Sequence, residues 1–175
     1  MDKINIWDLP INAHKNKFLL KYISNRNIDI EFSYKSFFKN AKVLRILVSN
    51  ICNYIWLDQM SISRIALMVD EMNNNAIEHW SCEWDINKLR FKCENQDNKL
   101  LISIEAEDSW KGNRAKTALD METLRAHQLK LWYKWHDSIR WRWLFMIIVN
   151  IVDRIYFKDS KNGGLIVWIK KIYDF

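Results

Sequence analysis

The sequence predicts an α+β domain, and three observations carry that expectation. Residues 28–34 (Ile-Asp-Ile-Glu-Phe-Ser-Tyr) alternate apolar and polar, the period-two signature of a half-buried strand. Residues 36–55 and 61–79 instead repeat their apolar side chains every three and four positions, which gives two amphipathic helices in succession. Strand-like runs at 88–94 and 100–107 then flank Asn95-Gln96-Asp97-Asn98, whose side chains favour a turn, so a hairpin follows the helices.

The elements follow in order. In the first helix Phe37, Phe38, Ala41, Leu44, Leu47, Val48, Ile51 and Ile55 form the apolar stripe, with Lys39, Lys42 and Arg45 opposite. The second begins near Ser61, with Ser61 or Ser63 as its cap, and runs through Ile65, Leu67, Met68, Met72 and Ala76 to His79. Residues 108–140 mix charges with Trp132 and Trp135 and show no clean period, apart from a helical turn or two within 116–131. We read them as a long mobile loop, which in a compact domain usually means function. A short apolar helix is expected at 144–152, a strand at 154–158, a turn at Asn162-Gly163-Gly164 and a last strand at 165–173. The predicted order is β-α-α-β-β-loop-α-β-β.

Composition sets bounds. The chain has 175 residues, 49% of them hydrophobic, enough for one domain with its own core. Its net charge of +6 comes from 27 basic and 21 acidic residues that are interspersed, which fits a solvated mixed surface and argues against nucleic acid as the partner. Cys52, Cys82 and Cys93 form no CxxC pair and leave an odd thiol, as suits a reducing compartment. No signal peptide is visible and no stretch is long enough to span a membrane, so the expected location is cytoplasmic, without a membrane partner.

The chemistry concentrates in three segments. Glu71 and Asn75 stand one helical turn apart and project from one face of the second helix. A carboxylate there can take a proton from a nucleophile, and an amide oxygen can complete the shell of a Mg²⁺ ion already held by phosphates. An ordinary polar helix face has the same spelling, and Asn73 and Asn74 offer competing registers. The strand at 101–107 ends in Asp108-Ser109-Trp110-Lys111-Gly112, and Ile139-Arg140-Trp141-Arg142-Trp143-Leu144 leads into the apolar helix. With Trp110, Trp141 and Trp143 read as Gly these become Asp-Ser-Gly-Lys-Gly and Arg-Gly-Arg-Gly-Leu. A carboxylate at a strand end can accept the amino group of adenine, and glycines before a helix let backbone N–H groups approach phosphates.

With those three motifs in that order, the chain resembles the GHKL ATPase superfamily, the Bergerat ATP-binding fold of histidine kinases and Hsp90-like ATPases. It is most similar to the small anti-sigma-factor serine/threonine kinases, whose Glu-x-x-x-Asn-Ala-x-x-His-Gly signature matches Glu71, Asn75, Ala76 and His79, with Trp80 at the Gly position. The resemblance covers roughly residues 28–173. It implies a two-layer sandwich, a mostly antiparallel mixed sheet covered on one face by about three helices, with a long ATP lid. The domain would run from 28 to 175, after an N-terminal extension of residues 1–27. By the same resemblance Glu71 is the catalytic base, Asn75 the Mg²⁺ ligand and Asp108 the adenine reader. Trp110 and Gly112 open the lid, and Arg140, Trp141, Arg142 and Trp143 occupy the phosphate-binding turn, although a charged lid rim accounts for the two arginines equally well. His79 is read as a helix-end packing residue. The family often has Thr after the Gly-Gly turn, whereas Leu165 and Ile166 follow Gly163-Gly164 here.

The activity so implied is ATP-dependent phosphorylation of a serine on an anti-sigma-antagonist (STAS-like) protein, together with sequestration of a sigma factor. ATP and Mg²⁺ are the cofactors, and a homodimer is implied by the resemblance alone. The alternatives are the ATPase domain of a two-component histidine kinase and a non-catalytic module that binds a protein or nucleic acid.

Tryptophan needs its own explanation. Gly averages about 7% of a protein, yet this chain has 3 Gly against 10 Trp. Trp80, Trp110, Trp141 and Trp143 stand where the family has Gly, and Trp56 sits at a break between helices where Gly is natural. A genome that reads UGA as glycine, translated with a table that reads UGA as tryptophan, produces this pattern. On this reading positions 56, 80, 110, 141 and 143 are glycine in the native protein, while Trp132 and Trp168 are compatible with genuine tryptophan.

Overall fold

The computed structural model describes residues 1–9, 19–23, 27–109, 117–130 and 151–174. Six strands form one sheet. They are β1 (Asp2–Asn5), β2 (Ile28–Lys35), β3 (Ile86–Gln96), β4 (Lys99–Glu107), β5 (Arg154–Asp159) and β6 (Leu165–Asp174), in the spatial order β1-β2-β3-β4-β6-β5. Only the β1–β2 pairing is parallel; the other four pairings are antiparallel. Among the described residues three complete α-helices accompany the sheet: α1 (Phe38–Tyr54), α2 (Gln59–Asn75) and α3 (Ala118–Lys130). The result is a mixed α+β architecture with a mostly antiparallel sheet, as the sequence predicts.

The alternation read from residues 28–34 is borne out residue by residue. Ile28, Ile30, Phe32 and Tyr34 are buried and the residues between them are half-buried. The same phase continues across the sheet through Leu89, Phe91 and Cys93, then Ile102, Ile104 and Ala106, then Leu165, Val167 and Ile169. Against this face pack Leu44, Leu47, Val48 and Ile51 of α1 and Ile65, Met68, Val69 and Met72 of α2, forming one core. Each such aliphatic side chain contributes about 1.5–3 kcal/mol by leaving water, so the packing of helices on sheet outweighs local propensity. Cys52 and Cys93 lie in this core and Cys82 is exposed, all three as free thiols.

Several local expectations are corrected. The cap of α2 is Asp58 rather than a serine: its carboxylate accepts from the Met60 and Ser61 N–H groups and from the Ser61 hydroxyl. The four-residue turn at 95–98 contracts to Asp97-Asn98, both with positive φ (46° and 63°), because short polar side chains tolerate the left-handed region that a tight hairpin requires. Residues 118–130, expected within a mobile loop, form the helix α3. Met121 anchors it in the core, and the Ala118 N–H donates to Asp159 at 2.8 Å. Residues 2–5 add a strand that the sequence did not announce, since four residues are too few to display a period. The helix expected at 144–152 lies outside the described residues except at its end, where Ile151 is helical.

Candidate functional site

The end of α2 is where the site takes shape. Its apolar stripe of Ile65, Met68, Val69, Met72 and Ala76 faces the sheet, and Asn73 falls in the same phase. Asn73 is fully buried; its Oδ1 accepts the Tyr34 hydroxyl at 2.7 Å and its Nδ2 donates to the Val69 carbonyl at 2.8 Å. Asn73 is thereby committed to the core. Glu71 and Asn75 sit beside the stripe, both half-buried, one helical turn apart. The Asn75 Nδ2 is buried and makes no hydrogen bond among the described residues. After Asn75 the backbone loosens into a π-turn, Ala76–Trp80, a conformation frequent at functional sites.

Asp108 follows the last residue of β4 and is 4% exposed. Its carboxylate Oδ1 accepts the Leu165 N–H at 3.1 Å, and its own N–H donates to the Leu165 carbonyl at 3.2 Å. Gly164 makes this clasp possible: a Cβ there would lie 2.1 Å from the Asp108 carbonyl oxygen and 2.8 Å from Oδ1. The Gly163-Gly164 pair of the sequence thus serves one approach at 164 and one left-handed turn at 163, where φ is 91°.

Tyr34 connects the two halves. It is fully buried on β2, directly across from Asn87 of β3. Burial pushes its phenol far above the ordinary range, the adjoining Asn87 amide opposes the rise, and the negative charge of Asp108 adds to it. Asn87 in turn accepts the Ser81 hydroxyl at 2.7 Å, just beyond the π-turn. Two separate bonds, Tyr34 to Asn73 and Ser81 to Asn87, therefore tie the Asn75-bearing segment to β2 and β3 near its two ends. Their signal in the sequence is phase: Tyr34, Asn73 and Asn87 are polar residues standing on core-facing positions of their elements, where burial demands a partner.

Beyond Asp108 the sheet end opens into a cleft of about 420 Å³, with Trp84, Asp85, Lys88, Glu107 and Ser109 on its walls. Glu107 accepts from Lys88 at 3.0 Å, from Asn162 at 3.3 Å and from the Ser160 hydroxyl. Burial alone would raise its carboxyl, but these donors outweigh it and hold the group below its usual range. Glu71 and Asn75 are not among the lining residues of this cleft. Trp110, Gly112, Arg140, Trp141, Arg142 and Trp143, expected to form the lid and phosphate turn, lie outside the described residues. Among the described residues no group of three His, Cys, Asp or Glu side chains is arranged to hold a metal ion.

No model of a known protein family matches the chain, and no curated protein matches it. Among solved structures, a chain of the SiaB–SiaC complex from Pseudomonas aeruginosa superposes with a TM-score of 0.51. The match covers 95% of this chain and 99% of that chain at 10% sequence identity. At that identity the likeness is one of fold. Among the described residues no helix is long and apolar enough to cross a membrane.

Proposed function

We propose that the chain is an ATP-binding serine/threonine protein kinase of the anti-sigma-factor type, which phosphorylates an anti-sigma-antagonist protein and sequesters a sigma factor. One observation carries the reading: the buried Asp108 carboxylate, held at the strand end by Gly164 and Leu165, lies electrostatically beside Tyr34, whose hydroxyl is bonded to the end of the helix bearing Glu71 and Asn75. This supports a Bergerat-type arrangement in which Asp108 accepts the adenine amino group, Asn75 faces Mg²⁺ and Glu71 withdraws the proton of the acceptor hydroxyl. When bound, Mg²⁺ offsets charge on the transferring phosphoryl group. Arg140 and Arg142, with positions 110, 112, 141 and 143, would supply the lid and phosphate contacts.

A protein partner is supported by the structural match, since that chain was solved in a complex of two proteins. On the outer face of β1–β4 several basic residues stand in ion pairs, Lys3 with Glu31, Lys88 with Glu107, Arg90 with Asp29 and Glu105, Lys92 with Glu94, whereas Arg154, Lys158 and Lys170 on β5 and β6 are in none of them.

Calorimetry of Mg²⁺-ATP on two versions of the chain tests the reading, one as written and one with Gly at positions 56, 80, 110, 141 and 143. On the proposed reading, indoles at 141 and 143 would take the place of the glycines that let backbone N–H groups approach phosphates, so binding is expected only in the Gly version. In that version Asp108→Asn should weaken ATP at least tenfold, about 1.4 kcal/mol, while Glu71→Gln should leave binding intact. A folded Gly version that binds no nucleotide would instead identify a non-catalytic interaction module.

A further inference from the structure

Among the described residues four non-glycine positions have positive φ: Trp56 (70°), Trp84 (74°), Asp97 (46°) and Asn98 (63°). Asp and Asn are the side chains that tolerate this region, whereas a bulky residue there is a genuine outlier. Tryptophan supplies 10 of 175 residues, so its occupying both remaining positions is not a random draw.

The backbone at each site shows what it requires. At the end of α1 the Leu57 N–H donates to the Cys52 carbonyl and the Trp56 N–H to the Asn53 carbonyl, each at 3.2 Å. With Ile55 as C-cap, this pair of bonds is a Schellman motif with Trp56 at the position glycine usually holds, and Leu57 and Cys52, the two positions whose apolar contact accompanies the motif, are both buried. At Cys82–Asp85 the Asp85 N–H donates to the Cys82 carbonyl at 3.1 Å, closing a β-turn. Positive φ falls on its third residue, Trp84, and not on Glu83; that is the type II pattern, which calls for glycine there. Asp85 locks this turn, accepting the Cys82 N–H at 2.8 Å and the Ser109 hydroxyl at 2.6 Å, while its carbonyl takes the Ser36 N–H at 2.9 Å.

The two indoles do little that would justify the conformation. Trp56 is 78% exposed and Trp84 is 65% exposed. Trp84 meets Phe37 edge-on at 4.9 Å, with the Lys35 ammonium 5.0 Å above its ring, contacts that an exposed aromatic makes from any backbone region. Trp168 is the contrast: a strand residue, half-buried, stacked on Tyr156 at 4.8 Å, and without positive φ.

We infer that position 84, like position 56, is glycine in the native protein. The reassignment extends to a residue that no motif comparison singles out, and it removes an indole from the wall of the cleft beside Asp108. The inference rests on backbone geometry and is independent of nucleotide binding.

The test has two parts. Peptide mass spectrometry of the protein isolated from the cells that encode it should find glycine at 56 and 84, and the gene should carry UGA at both; tryptophan in the native peptide at 84 overturns the inference. In recombinant protein, Trp56→Gly and Trp84→Gly should each melt about 2–4 °C above the matching Trp56→Ala and Trp84→Ala variants, because only the Ala variants keep a Cβ at positive φ. At 168 the order should reverse, Ala above Gly, since glycine weakens a strand interior. Equal melting of the Gly and Ala variants at 84 would overturn the geometric basis.

Discussion

Asp108 and Gly164 show how much a single residue of this domain depends on another far along the chain. The absent Cβ of Gly164 lets its backbone reach the Asp108 carbonyl, and the following N–H then fixes the carboxylate. Gly164→Ala forces a methyl group to 2.1 Å from a backbone oxygen, where no side chain can move aside, so strand and turn must part. We expect a loss of about 3 kcal/mol in urea unfolding, together with weakened nucleotide binding in the Gly version of the chain; an unchanged unfolding midpoint would show that the clasp is not formed. Asp108 was legible in the sequence as a carboxylate at a strand end, and Gly163-Gly164 as a turn. Their contact was not, because 56 residues separate Asp108 from Gly164 and no local pattern reports a close approach of two backbones.

At the scale of elements, the buried Tyr34–Asn73 hydrogen bond ties the end of α2 to the sheet. Tyr34→Phe removes one hydroxyl and leaves the Asn73 Oδ1 without its donor in a dry core, which costs about 1–3 kcal/mol. The loss should be local as well as global: amide exchange should accelerate across 73–81, the segment tethered by Asn73 and Ser81, more than in the centre of α1. Equal acceleration in both helices would mean that the bond stabilises the fold without tethering that segment. Sequence periodicity located both α1 and α2 because their stripes are long and face one core. It undervalued α3, whose charged and apolar residues make almost no stripe and in which, among the described side chains, Met121 is the buried anchor. A helix held by few contacts and capped through Asp159 from another element leaves little periodic trace.

Across the whole molecule, carboxylates fasten neighbouring strands, and three of them, Asp29, Glu107 and Asp153, titrate in the same direction. Asp29 on β2 is held low first by its hydrogen bonds from Arg90 on β3. Burial would raise Glu107 at the end of β4, but Ser160, Lys88 and Asn162 outweigh it. Burial likewise opposes Asp153, which precedes β5, and there Lys171 and the Ile172 N–H of β6 prevail. A carboxyl with a depressed folded pKa stabilises fully above its unfolded value, and that contribution disappears as pH falls through the folded value. The windows open below 4.5 for Glu107 and below 3.8 for Asp29 and Asp153. Stability should therefore be level from neutral pH down to the carboxylate range and then fall steeply, since protonation also adds to a net charge that is already +6. Partial exposure of these pairs discounts each one, so no single fastening should dominate. Urea midpoints across pH check this: Glu107→Gln should lower the midpoint near neutral pH and shallow the acid limb without abolishing it. A flat acid limb in that one variant would mean that Glu107 alone governs acid unfolding, and that the three fastenings do not share the sheet between them.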